Sequence, residues 1–141
     1  MTTPHVEVEH GLISRGYEVV IGVDEVGRGA LAGPVWVTAG AWMATCVGIP
    51  EGLRDSKLIP EAKRPVVANR AKAWLLGFAS GHVDAASIDR QGIMWALGHA
   101  GATAVMTLWN QLGRPRATAV VLDGNHDWIS PQLEGDFPVM T

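Results

Sequence analysis

Cysteine is almost absent from this chain: Cys46 stands alone among 141 residues. No internal disulfide can form and no cysteine-rich zinc site can be built, which argues against thiol redox chemistry and fits a reducing compartment. Long apolar runs are missing as well. Charges or glycines interrupt each hydrophobic stretch before the roughly 18 residues that a membrane span needs. The opening MTTPHVEVEH also lacks the basic-then-apolar layout of a secretory signal. The expected location is therefore the cytoplasm, with no membrane partner. No repeat, low-complexity tract or Pro/Gly/Ser-rich linker divides the sequence, so the expectation is a single domain over 1–141. A hydrophobic content of 48% suffices for its core.

A general excess of positive charge is also lacking. The formal net charge is −3, which by itself counts against a polyanionic partner. The distribution says more than the sum. Arg54, Lys57, Lys63, Arg64, Arg70 and Lys72 face only Asp55 and Glu61 within the same stretch, a basic segment whose plain reading is a solvated helix face.

What is present is a series of β-favouring runs and one strongly periodic helix. Tyr17 to Val23 is rich in Val and Ile and reads as a strand. Pro34 to Met43 reads as its antiparallel return across a glycine-rich turn, and Trp74 to Val83 as a third strand. Between the last two, Pro60 opens a helical stretch EAKRPVVANRAKA, with Pro65 near its start. Ile93, Leu97, Gly101, Ala104, Leu108 and Leu112 recur at the 3.6-residue period along one helix face, which Gly113 ends. Ala117 to Leu122 is a short β-favouring run delivering Asp123 into the turn pair Gly124-Asn125, and Phe137 to Thr141 opens a further strand. This order predicts an α/β mixed sheet flanked by helices, its fourth strand parallel to a neighbour because a long helix precedes it.

Two of these strands end in acids. Asp24 follows VVIGV and Asp123 follows AVVL. If the strands are parallel neighbours, the carboxylates meet at the edge where open α/β sheets take ligands, and their repulsion calls for a shared proton or a cation. Hard divalent ions with oxygen ligands fit best. Glu25 can join Asp24 only if the strand ends or bulges there, since successive strand residues point to opposite faces. Gly27-Arg28-Gly29 then supplies a backbone able to approach an anion and a guanidinium suited to phosphate. Singly, each feature has a bland alternative, a solvated strand end or a tight turn; within seven residues they reinforce one another.

The stretch VIGVDEVGRGALAGPVWV from Val20 closely resembles the first motif of ribonuclease HII, the type 2 ribonuclease H family, and looks most like actinobacterial members. LRDSK at Leu53 to Lys57, ASIDRQGIMWAL at Ala86 to Leu97 and VLDGNHDW at Val121 to Trp128 match further motifs in the family's order. The resemblance implies a ribonuclease H-like fold that hydrolyses the RNA strand of RNA/DNA hybrids and incises duplex DNA at embedded ribonucleotides, leaving 5′-phosphate and 3′-hydroxyl ends. It implies Asp24, Glu25 and Asp123 as catalytic ligands of two Mg²⁺ or Mn²⁺ ions. It assigns Gly27, Arg28 and Gly29 to a loop sensing the ribose 2′-hydroxyl, Ser56 and Lys57 to substrate phosphate, and a turn-shaping role to Asp55. Family members are usually monomeric.

Past the VLDGNHDW motif the chain departs from the family. A fourth acid, expected after a K-[GA]-D motif on the strand beyond DGN, has no counterpart before PVMT, and Asp127 and Asp136 are poor substitutes. The final helices and a junction-stacking tyrosine are missing too, since Tyr17 is the only tyrosine. The expectation is thus a C-terminally truncated enzyme with weakened metal binding. Its alternative is an inactive remnant that binds nucleic acid without cleaving it. The remaining candidates read as structural: Trp42, Trp74 and Trp95 as core, Met94 and Met106 as helix packing, His82 and His99 as surface groups, and HVEVEH as a solvated edge.

Overall fold

The computed structural model describes residues 11, 14–26, 33–43, 61–122, 127–133 and 137–140. Within them, β-branched runs form β1 (Val19–Val26) and β2 (Val35–Trp42). A 3-10 turn at Glu61–Lys63 leads into α1 (Arg64–Trp74), followed by β3 (Gly77–Val83), α2 (Ala85–Gln91), α3 (Ile93–Gln111), β4 (Thr118–Leu122) and β5 (Val139–Met140). The five strands make one sheet in the order β3-β2-β1-β4-β5. β1, β2 and β3 are antiparallel neighbours, whereas β4 lies parallel to β1 and β5 parallel to β4. The predicted mixed sheet and the parallel placement of the fourth strand are both observed.

The sheet buries its two faces unequally. On one face Ile21, Val23, Val35, Val37, Val120 and Leu122 meet Leu97, Ala100, Ala104, Val105 and Leu108 of α3 in the main core. Burying each large aliphatic side chain is worth about 1.5–3 kcal/mol, so this stripe holds α3 to the sheet. The contact is close because small residues line it. A Cβ on Gly81 would stand 2.2 Å from the Ala100 carbonyl oxygen, so β3 and the α3 backbone touch where no side chain intervenes. On the other side of α3, Gly98 and Gly101 leave a notch into which Trp128 and Ile129 pack, both buried. The second sheet face carries a smaller cluster of Val20, Trp42 and Ala119 with Tyr17, Trp74, Leu75 and Val121.

Helix ends follow their local chemistry. Pro65 sits in the first turn of α1, where no intrahelical N–H partner is lost. Asp84 caps α2 by accepting the Ser87 N–H at 2.8 Å, and that bond together with the Ser87 hydroxyl holds the Asp84 carboxyl below the usual aspartate range. Gly92, at φ +91°, separates α2 from α3. At the far end of α3 the Gly113 N–H reaches the Asn110 carbonyl and the Arg114 N–H the Trp109 carbonyl, a closure that relies on the positive φ of +81° at Gly113.

Three expectations are corrected. The third strand starts at Gly77 instead of Trp74: Trp74 completes α1, and Leu75 bends away to pack with Trp74 on the second sheet face. A continuous apolar run does not itself distinguish strand from helix end. α2 had no predicted counterpart, and it has no buried residue that would have produced a periodic signal. Met94, read as helix packing, is 40% exposed.

Candidate active site

β1 delivers the first two acids. Its ladder with β4 pairs Val19 with Thr118 and runs in register to Val23 beside Leu122. Asp24 is therefore the next residue beyond that pair on β1, and Asp123 follows Leu122 in sequence. Asp123 lies outside the described residues, as do Gly27, Arg28, Gly29, Ser56, Lys57 and Asp136. Among the described residues no group of three or more His, Cys, Asp or Glu is arranged to hold a metal ion. Of the three predicted catalytic acids, Asp24 and Glu25 are the two among the described residues.

The β1–β2 ladder continues without interruption through Asp24 opposite Thr38, Glu25 opposite Val37 and Val26 opposite Trp36. The strand neither ends nor bulges at Asp24, so the condition for Glu25 to turn onto the same face is not met. Alternation directs Asp24 to the side of Val20 and Gly22, and Glu25 to the side of Val23. Asp24 is exposed and Glu25 half-buried. The Glu25 backbone N–H donates to Asp24 Oδ1 at 2.9 Å, which orients the carboxylate. These are hard oxygen donors, the type that suits Mg²⁺ or Mn²⁺.

Asp127 is occupied elsewhere. Its Oδ1 accepts the N–H groups of Ile129 at 3.1 Å and Ser130 at 3.0 Å, and its Oδ2 takes the Ser130 hydroxyl. These bonds fix the chain as it enters the 3-10 turn Ser130–Gln132, a structural use that leaves Asp127 a poor substitute for a fourth acid. Trp128 is buried in the main core, so it is no stacking platform. His99 stacks on Trp95 along α3.

Sequence reasoning passed over the row across from Asp24. Thr38 is opposite Asp24, and Ser80 of β3 is opposite Thr38, with Thr38 Oγ1 and Ser80 Oγ 2.9 Å apart. In the adjacent row Trp36 stacks on His82 with ring centroids 4.5 Å apart. The alternation of PVWVTAGAWM carried the signal for Trp36 and Thr38 sharing a face, but their neighbours depend on a register no local pattern reveals.

No family model matches the chain. It is 42% identical over 117 residues to the Ribonuclease HII of Streptomyces avermitilis, a match covering 81% of this chain and 46% of that protein. Against the Ribonuclease HII of Paracoccus denitrificans it is 39% identical over 125 residues, covering 89% of this chain and 56% of the other. The chain is homologous to ribonuclease HII. It spans about half the length of the curated ribonucleases HII it matches. The fold agrees: the ribonuclease H2 from Pyrococcus horikoshii OT3 superposes with a TM-score of 0.64 at 20% identity, over 86% of this chain and 61% of that one. Bst-RNase HIII in complex with Mn²⁺ superposes with a TM-score of 0.68 at 18% identity, over 99% of this chain and 50% of that one. The chain has the ribonuclease H fold. Among the described residues no helix is long and apolar enough to cross a membrane.

Proposed function

We propose that this chain carries the ribonuclease HII active-site edge and acts as an endoribonuclease on the RNA strand of RNA/DNA hybrids and at ribonucleotides embedded in duplex DNA. The observation that supports this best is the in-register parallel pairing of β1 with β4, which ends at Val23 beside Leu122, one residue short of both aspartates. In the proposed site Asp24 and Asp123 would be neighbours, and two adjacent carboxylates favour a divalent cation between them. Asp24, Glu25 and Asp123 would hold Mg²⁺ or Mn²⁺. When bound, the ions supply positive charge at the scissile phosphodiester and ease deprotonation of the attacking water.

The chain's own groups do the rest. Asp24, fixed by the Glu25 N–H, sets where the cation sits. Glu25, set by alternation on the opposite face of a strand that pairs on to Val26, is the less direct ligand of the two. Gly27, Arg28 and Gly29 contact the ribose 2′-hydroxyl, the group that distinguishes RNA from DNA. Ser56 and Lys57 hold substrate phosphate. Such a substrate lies with the chromosome, which in a cell without a nucleus places the reaction in the cytoplasm.

The test is incubation with Mn²⁺ or Mg²⁺ and a duplex carrying one ribonucleotide. Nicking beside that ribonucleotide supports the proposal, with Asp24→Asn abolishing it and Glu25→Gln reducing it by a smaller factor. Binding without nicking would make the chain a non-catalytic nucleic-acid binder, and equal nicking of all-DNA duplex would refute the assignment.

A further inference from the structure

The sheet face that carries Asp24 is only partly covered. Tyr17, Trp74 and Leu75 pack over its Val20, Trp42 and Ala119 end. Toward the end of β1, Asp24, Thr38 and Ser80 form a transverse row across three strands, all exposed. Next to it lie Trp36, 45% exposed, and the exposed His82, their rings stacked at an interplanar angle of 23°.

The hydroxyl pair has donor capacity to spare. Thr38 and Ser80 own two hydroxyl hydrogens and use one between them, whichever is the donor. The second hydrogen and the remaining lone pairs belong to two exposed side chains. Directly opposed strand residues keep their Cβ atoms about 4.5–5.5 Å apart, so this donor stands one strand across from the Asp24 carboxylate. Beside it the indole–imidazole stack offers a flat surface suited to a sugar or base.

We propose that Thr38 and Ser80, flanked by Trp36 and His82, form a subsite for the sugar–phosphate backbone of the nucleic-acid strand engaged at Asp24. The hydroxyls donate to a phosphate or ribose oxygen, and the stacked rings bear against the adjoining sugar. The inference rests on the proposed function and extends it to where the substrate runs. A protein cover is disfavoured because it would dehydrate Asp24 together with two hydroxyls, whereas a nucleic-acid strand arrives with its own cations.

The test measures binding of a fluorescently labelled RNA/DNA hybrid to the full chain by anisotropy, with Ca²⁺ in place of the catalytic ion. Losing one or two hydrogen bonds predicts that Thr38→Val with Ser80→Ala weakens binding about threefold to tenfold. Thr38→Ser should keep wild-type affinity, and Trp36→Ala should weaken binding where Trp36→Phe does so less. Circular dichroism melts verify that the variants fold. Wild-type affinity in the folded double variant overturns the subsite alone, while failure of the wild-type chain to bind the hybrid overturns the proposed function as well. A double variant that changes only self-association would reassign the face to a protein contact and overturn the inference.

Discussion

Gly81→Ala probes the closest contact in the fold. The added Cβ would lie 2.2 Å from the Ala100 carbonyl oxygen and 3.1 Å from both the Ala100 carbonyl carbon and Thr103 Cβ. Ordinary van der Waals contact begins near 3.4 Å, so relief requires roughly 1 Å of separation between β3 and α3, and the obstacle is backbone, which cannot rotate aside. Ala79, Ala96, Ala100 and Ala104 share this seam, and moving α3 outward would loosen all of them. Overpacking of this kind costs about 1–3 kcal/mol, set against a gain of up to about 1 kcal/mol from restricting the unfolded chain. A net loss of about 2 kcal/mol should lower the melting temperature by roughly 6–8 °C at this chain length. Gly22→Ala is the internal control: it is a strand glycine with nothing within 4 Å of its Cβ position, so stability should hold or rise slightly. Urea unfolding followed by circular dichroism gives the stability change, and a thermal melt the shift in midpoint. If Gly81→Ala matched Gly22→Ala in both, the close approach of β3 and α3 would be wrong.

Two further perturbations address helix ends. Gly113→Ala forces a Cβ into the left-handed region at φ +81° with nothing else to clash against, so it should cost about 1–2 kcal/mol by denaturant unfolding, and no loss would contradict the closure of α3. The Asp84 carboxyl titrates below its reference value of 3.8 because it accepts hydrogen bonds from Ser87; a depressed folded value means its charge stabilises above 3.8 and stops doing so as pH falls through the lower folded value. The stability gap between wild type and Asp84→Ala should be widest at neutral pH and shrink in acid, and a gap independent of pH would refute the cap's electrostatic part.

Much of this architecture was legible because the responsible signals are local. The Val/Ile run of β1, the Ala117 to Leu122 run and the periodic stripe of α3 each announce an element through its own side chains. α2 was not legible, since a helix with no buried residue has no stripe. The boundary at Trp74 was misread because indole and leucine serve equally in a strand or in a helix end packed on a sheet. At the site, the apolar run before Asp24 placed it on β1 but not at its end, since the pairing with β2 continues to Val26. The face taken by Glu25 did not follow from that run, because it depends on whether β2 keeps pairing as far as Trp36. The grouping of Thr38 with Ser80 was likewise invisible, since it depends on a register between strands some forty residues apart.

The parallel union of β1 with β4 also bears on how the chain folds. β1, β2 and β3 can pair as successive antiparallel neighbours, but Val23 meets Leu122 only across roughly a hundred intervening residues. The β1–β4 union therefore needs a long-range closure that local pairing does not supply. Until that union closes, Asp24 stands without the end of β4 beside its strand.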